Sequence, residues 1–370
     1  VRRGRALMRM DADGGRDQAA MRLDAEPDRD RFDLAAAVRG ERDGLIAGAL
    51  GVRAPVVVDV AGDGRWSRWR GAAQGSIGTR RVIDLTLEAD AGRYTLAGTV
   101  APGRLTGGLA ARLGAPAVRI RADAMLDRRQ VTGTLFLRSP ALALTGSGTL
   151  DLAESRYRGA RLRARLFRPE RLLDGMAGQG FAGTLALDGG FSRPAYSYRM
   201  VADRVAFGRT GFERLAIVGE GRWGSGPPRL PVRVSAARVT GVGDAAGGIL
   251  RNLVVEGQLR IAPPLVTGEG LRLRSDKLRG ELRLTYDLRS GRYDVGLAGS
   301  LARYLVPGLG IVDLQSRLQA VPGPGGRGTR LVGRGTAQVI RLDNGFFRSL
   351  AGGLPRVEAA LERTADGVLH

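Results

Sequence analysis

The chain has 370 residues, enough for two average domains or one long repetitive one. A hydrophobic content of 43% argues against general disorder, and 57 glycines with only 5% aromatics favour many short strands and turns over a dense globular core. The formal net charge of +21, carried by arginine save for Lys277, points to anionic partners; the lack of cysteine excludes disulfides, thiolate metal sites and a Cys nucleophile, and the lone His370 leaves no basis for a His general base, a Ser-His-Asp triad or a His-rich metal site.

The opening VRRGRALMRM alternates Ala6, Met8 and Met10 with Leu7 and Arg9 ahead of a DADGG turn. It reads as a hairpin already under way, not as a signal peptide. No apolar run approaches the roughly 18 residues that a membrane helix needs. Period-two alternation, which places one set of side chains on one face of a strand, then recurs along the chain. Phe32, Leu34, Ala36 and Val38 form one such face, and Val56, Val58 and Val60 another. Ile83, Leu85 and Leu87 alternate with Asp84, Thr86 and Glu88; after a turn at Asp90-Ala91-Gly92 the pattern resumes with Tyr94 and Leu96. Leu142, Leu144 and Gly146 continue it.

RPERLLDGMAG, residues 168–178, places Pro169 and Glu170 where a first helical turn wants them, so a helical insertion is expected over 168–180. Strand patterns return with Val232, Val234 and Ala236, and with Leu253, Val255, Gly257, Leu259 and Ile261. In GELRLTYDLRSGRYDVGLAGS, residues 280–300, Leu282, Leu284, Tyr286 and Leu288 lead through Ser290-Gly291 to Tyr293, Val295 and Leu297, the signature of a hairpin with one apolar face. VPGPGGRG, 321–328, is a loop. Asp343 is placed to cap a short helix near 343–352, and VEAALERTA, 357–365, favours a strand ahead of Asp366-Gly367. The chain reads as the middle of a longer protein. It is expected to be all-β: groove-forming repeats over 1–167 and 181–370 around the insertion at 168–180. The hairpins repeat, Leu85 to Tyr94 matching Leu284 to Tyr293, with a looser copy at 150–159. Such degenerate units stack to bury a continuous face.

Motifs for chemistry are weak. Gly323, Gly325 and Gly328 lack the strand-turn-helix context of a phosphate loop, and Lys277 follows Asp276 with no glycine series before it. Asp11, Asp13 and Asp17 suit a hairpin turn better than a calcium loop. Asp28, Asp30 and Asp33 offer carboxylates, but nothing isolates a glycosidase-like pair. Arginines interleaved with acids, and few aromatics for base stacking, argue against nucleic acid. Trp66 and Trp69 read as a local structural feature. No catalytic residue, metal or cofactor is expected.

The units at 165–221, 275–313 and 341–369, together with AGDGRWSRWRG at 61–71, resemble the TamB-like branch of the AsmA-like superfamily of Gram-negative envelope proteins. The resemblance implies an elongated antiparallel sheet curled into a taco-like hydrophobic groove that carries phospholipids between the inner and outer membranes. It implies a periplasmic location, with an inner-membrane anchor outside this chain. It also implies a link to outer-membrane protein assembly through a barrel partner of the TamA type, by regions outside this chain. The groove lining expected from the alternation is Ile83, Leu85, Leu87, Tyr94, Leu96, Leu253, Val255, Leu259, Leu282, Leu284, Tyr286, Leu288, Val295 and Leu297, touching acyl chains. Gly257 and Gly296 are expected to relieve crowding.

Overall fold

The computed structural model describes residues 5–105, 108–208, 210–224, 226, 228–241, 249–306, 310–324, 328–343, 345, 349 and 353–364. The chain divides into two compact units. The first comprises Val1–Asp174 and Phe181–Pro194, the second Gly175–Gly180 and Ala195–His370.

The first unit is an antiparallel meander of β1 (Ala6–Asp13), β2 (Asp17–Glu26), β3 (Arg31–Gly40), β4 (Val56–Arg65), β5 (Arg68–Ile77), β6 (Arg80–Asp90), β7 (Arg93–Val100), β8 (Val118–Asp127), β9 (Gln130–Arg138), β10 (Leu142–Asp151) and β11 (Arg156–Leu166). The next strand in sequence, β12 (Met176–Gln179), belongs to the second unit, and β13 (Phe181–Gly190) returns to pair with β11. The second unit pairs β12 with β14 (Ala195–Phe207) and continues through β15 (Thr210–Arg222), β16 (Arg229–Thr240), β17 (Arg251–Ala262), β18 (Leu265–Arg274), β19 (Leu278–Asp287), β20 (Tyr293–Val306), β21 (Gly310–Pro322), β22 (Thr329–Leu342) and β23 (Arg356–Arg363). The all-β class is as expected, and VEAALERTA is indeed a strand over most of its length. Neither ladder closes into a barrel among the described residues: β1 pairs with β2 alone and β23 with β22 alone. Bulges at Gly75/Ser76, Tyr157/Ala160, Glu256/Leu259 and Leu301/Tyr304 bend individual strands, as a curled sheet requires.

The expected helix over 168–180 does not form. One 3-10 turn, Pro169–Arg171, gives way to β12. Gly175, Gly178 and Gly180 all take positive φ (76°, 145° and 73°), which ends any helix there. The helix expected near 343–352, and the Gly325 and Asp366-Gly367 positions, lie largely outside the described residues.

Because neighbouring strands run antiparallel, every connection falls at one of two rims. In the first unit one rim carries short turns, such as Asp90–Arg93 and Asp127–Gln130, while the other carries α1 (Leu45–Ala49) and α2 (Gly108–Gly114). In the second unit the turns after Ala262 and Asp287 define the corresponding turn rim, and Ile249 lies at the opposite one. The most buried apolar clusters gather where the inserts fold over: Ala47, Val56, Ile77 and Val82 in the first unit, and Leu273, Leu278 and Leu301, packed with Ile249 and Leu250, in the second.

Side chains tie these inserts down. The carboxylate of Asp17, from the DADGGRD turn, accepts from the Ile46 N–H of α1 at 2.8 Å and from the Glu41 N–H at 3.2 Å. The motif Leu-Arg-Ser-x-x-Leu occurs twice, at 137–142 and 273–278. Ser139 Oγ accepts from the N–H groups of Ala141 and Leu142 (3.1 and 3.0 Å) and donates to the α2 carbonyl of Leu113. Ser275 Oγ accepts from Leu278 N–H at 3.0 Å and donates to the Ile249 carbonyl at 2.7 Å. The same hydroxyl latch thus fastens an insert in each unit.

Removing that hydroxyl strands backbone groups in a partly buried setting, which costs about 1–3 kcal/mol. Ser139→Ala should therefore lower the urea midpoint while Ser139→Thr largely retains it; equal midpoints for Ser139→Ala and the native chain would show the latch to be idle. Acid should also destabilise the protein. The Arg5 hydrogen bond, with the charges of Arg5 and Arg31, holds the Asp24 carboxyl below the ordinary range, and the Glu154 N–H with Arg158 does the same for Asp151. A depressed folded pKa gives stability that is complete above the unfolded value, about 3.9, and is lost as pH falls through the folded one. Thermal melts should drop below about pH 4, and less so in Asp24→Asn, which starts lower near neutrality.

Candidate functional site

Thirteen of the fourteen expected lining residues share the apolar face of their unit. Leu87 stands opposite Leu96 and Gly71, Leu85 opposite Gly98 and Ala73, Ile83 opposite Gly75 and Val100, and Tyr94 opposite Ala89. In the second unit Leu282 faces Leu297 and Leu271, Leu284 faces Val295 and Gly268, and Tyr286 faces Tyr293. Leu259 joins them through Gly268, and Val255 through Leu273 and Gly280, with Leu253 one alternation away. Leu288 does not belong: β19 stops at Asp287, whose carboxylate accepts from the N–H groups of Arg289 and Ser290, and Leu288 sits in the turn at 55% exposure. The alternation ran one position past the strand because the turn begins on an apolar residue.

Strand by strand, the face is continuous. One lateral row reads Met8, Leu23, Leu34, Gly62, Gly71, Leu87, Leu96, Ala122, Leu135, Gly146, Leu162 and Leu185, with no polar residue across twelve strands. At about 4.8 Å per strand the row covers roughly 50 Å. Met8, Met21, Leu135, Leu162 and Leu185, which sequence reasoning did not name as lining, belong to this face; their signal is weak because alanine and glycine break the alternation. All thirteen residues remain half-buried. Cross-strand neighbours cover their flanks, whereas the interior of a packed sandwich would bury them fully.

Glycine makes room on this face. A Cβ on Gly257 would lie 2.6 Å from Leu271 Cδ2, so Gly257 does relieve crowding. Gly296 does not: it faces the polar side, where the nearest Arg283 atom would be 3.7 Å away. Gly219 and Gly221 leave space for Tyr198 and Tyr196 to lie across the sheet, their hydroxyls donating to the carbonyls of Pro231 (2.8 Å) and Arg229 (3.2 Å). Trp69 stacks on Phe32 with centroids 4.7 Å apart, and Trp66 approaches the same ring at 6.2 Å, beneath a turn in which Asp30 accepts from the N–H and hydroxyl of Ser67.

The opposite face is polar. Arg39 pairs with Asp59, Arg70 with Glu88 and Arg233 with Glu256 across neighbouring strands. Open hollows lie on it: one of about 950 Å³ among Arg272, Arg279, Glu281, Arg317, Arg334 and Glu358, and two of about 470 and 490 Å³ over β8 to β11 among Thr134, Ser147 and Arg161. Four of the six carboxylates singled out as candidates are engaged locally: Asp11 with Arg9, Asp13 with the Gly15 N–H, Asp17 with α1 and Asp30 with Ser67. Among the described residues no three His, Cys, Asp or Glu side chains converge as metal ligands.

No family model, no curated protein and no solved structure matches this chain.

The two glycines should separate on substitution. Gly257→Ala drives a methyl into Leu271 and should cost about 1–3 kcal/mol, the range for overpacking, whereas Gly296→Ala should be neutral or slightly stabilising by lowering unfolded-chain entropy. Denaturant curves showing equal losses for both would disprove the assignment of these glycines to opposite sides of the sheet.

Proposed function

We propose that the chain is a segment of a TamB-like member of the AsmA-like superfamily, a periplasm-spanning bridge whose apolar face carries phospholipid acyl chains between the inner and outer membranes. The observation that carries this reading is the polar-free row, half-buried over most of its length, that crosses twelve strands of the first unit, with its counterpart in the second. Exposed apolar surface on that scale marks a binding surface. A hydrocarbon chain fits it well. Each methylene removed from water contributes about 0.8 kcal/mol, every strand offers much the same surface, and displacement by one strand leaves the energy nearly level. The role proposed for the groove is transport.

A scaffold for outer-membrane protein assembly is the second reading. β1 lies at an edge with most of its residues exposed, and an open edge can template an incoming strand. Photocrosslinking in cells separates the two. A photoreactive residue at Leu284 should give lipid adducts, and one at Arg283, on the polar face, should not. Leu284→Arg in the full-length protein should abolish lipid transport with little change in folding. Protein adducts at Leu284, or normal transport by folded Leu284→Arg, would reject the lipid groove.

A further inference from the structure

The amphipathic aromatics are not scattered over the apolar face. All three tryptophans, Trp66, Trp69 and Trp223, lie at or beside the turn rim of their unit, and so do six of the seven tyrosines, Tyr304 alone standing at the opposite rim. Phenylalanine is divided between the rims: Phe32 and Phe191 stand at the turn rim, but Phe167, Phe181, Phe207 and Phe212 are at the rim of the inserts. Both kinds of ring are large and apolar. What sets Tyr and Trp apart is a polar handle, which places them where hydrocarbon meets a hydrated polar layer. Tight hairpin packing does not account for them all, since Trp66 and Trp223 remain about half exposed, at 48% and 49%.

The turn rim also carries cations. Arg222 precedes Trp223, Arg292 precedes Tyr293, and the β8–β9 turn consists of Arg128 and Arg129; none of the four has an ion-pair partner among the described residues. Arg128 and Arg129 both hold positive φ, 43° and 68°, where glycine or asparagine is easier, so the turn keeps two cations at a backbone cost. At the opposite rim the inserts fold over the strand ends, and Ala47, Val82, Leu273 and Leu278 are buried beneath them.

Resting on the lipid-groove reading, we infer that in each unit the phospholipid lies along the strands with its headgroup at the turn rim, among Trp, Tyr and unpaired Arg, and its chain ends toward the insert-covered rim. The dimensions allow it. A ten-residue strand spans about 33 Å, while the hydrocarbon of one leaflet is half of about 30 Å.

Because every native tryptophan is at the turn rim, intrinsic fluorescence reports that rim alone. The 370-residue chain would be loaded with phosphatidylcholine spin-labelled either on the headgroup or at the chain terminus, and bound lipid carried through gel filtration. The headgroup label should quench the native tryptophans at least threefold more than the chain-end label. With all three tryptophans replaced by Phe, Phe181→Trp at the opposite rim should reverse the ranking. Equal quenching, or the reverse order at the native tryptophans, would overturn the orientation and leave the lipid groove standing. No quenching by either label at either rim, with no lipid eluting alongside the protein, would overturn both.

Discussion

Every feature of the apolar face depends on registry in the antiparallel ladders. Side chains alternate with a period of two, so a slip of one residue at any pair would turn a whole strand's leucines to the polar side. The pairings keep Leu87 opposite Leu96 and Leu282 opposite Leu297, and the polar rows stay matched too, Arg70 opposite Glu88 and Arg233 opposite Glu256. Mis-registry would place leucine against water on one side and arginine against leucine on the other. Both faces therefore penalise the same error. The bulges do not break the rule: after each of them the apolar row resumes on its own face, because the extra residue is absorbed as a bend.

A sheet with one partly exposed apolar face still needs buried core, and in each unit the apolar clusters form at the insert rim. Short helices and 3-10 turns fold over the strand ends there and bury Ala47, Val56, Leu273 and Leu301. The latches are polar and local: Asp17 for α1, Ser139 for α2, Ser275 for the segment ending at Ile249. Each spends a side-chain oxygen on backbone groups that would otherwise lose their water without replacement. The apolar clusters thereby gather at the insert ends of the strands, and the lining residues of the face remain half-buried. That division of labour suits a surface whose proposed occupant must come and go.

Much of the chain's charge lies on the polar face of the sheet. Acids such as Asp59, Glu88 and Glu256 pair with arginines of neighbouring strands, and other arginines project from strand faces and turn tips. Exposed pairs of this kind contribute little stability. Their service is to keep one side of an otherwise apolar sheet in water and to discourage edge-to-edge association.

The sequence by itself determined the all-β class, the hairpins and the membership of the apolar face, since alternation such as Ile83, Leu85, Leu87 has one reading on a strand wetted on one side. It also misled at three points. Leu288 continues the alternation beyond the end of β19, 168–180 mimics a helix start although three glycines at positive φ forbid one, and Gly296 looks equivalent to Gly257 although it faces the other side. What only the tertiary structure decided is how strands join sideways. Rows such as Leu87, Leu96, Ala122 and Leu135 are built from residues 9 to 26 positions apart, and the gathering of Trp and Tyr at one rim follows from which strand ends meet. Periodicity is a local property of one strand, whereas rows and rims arise from hydrogen bonds between strands distant in sequence, and no single strand carries that information.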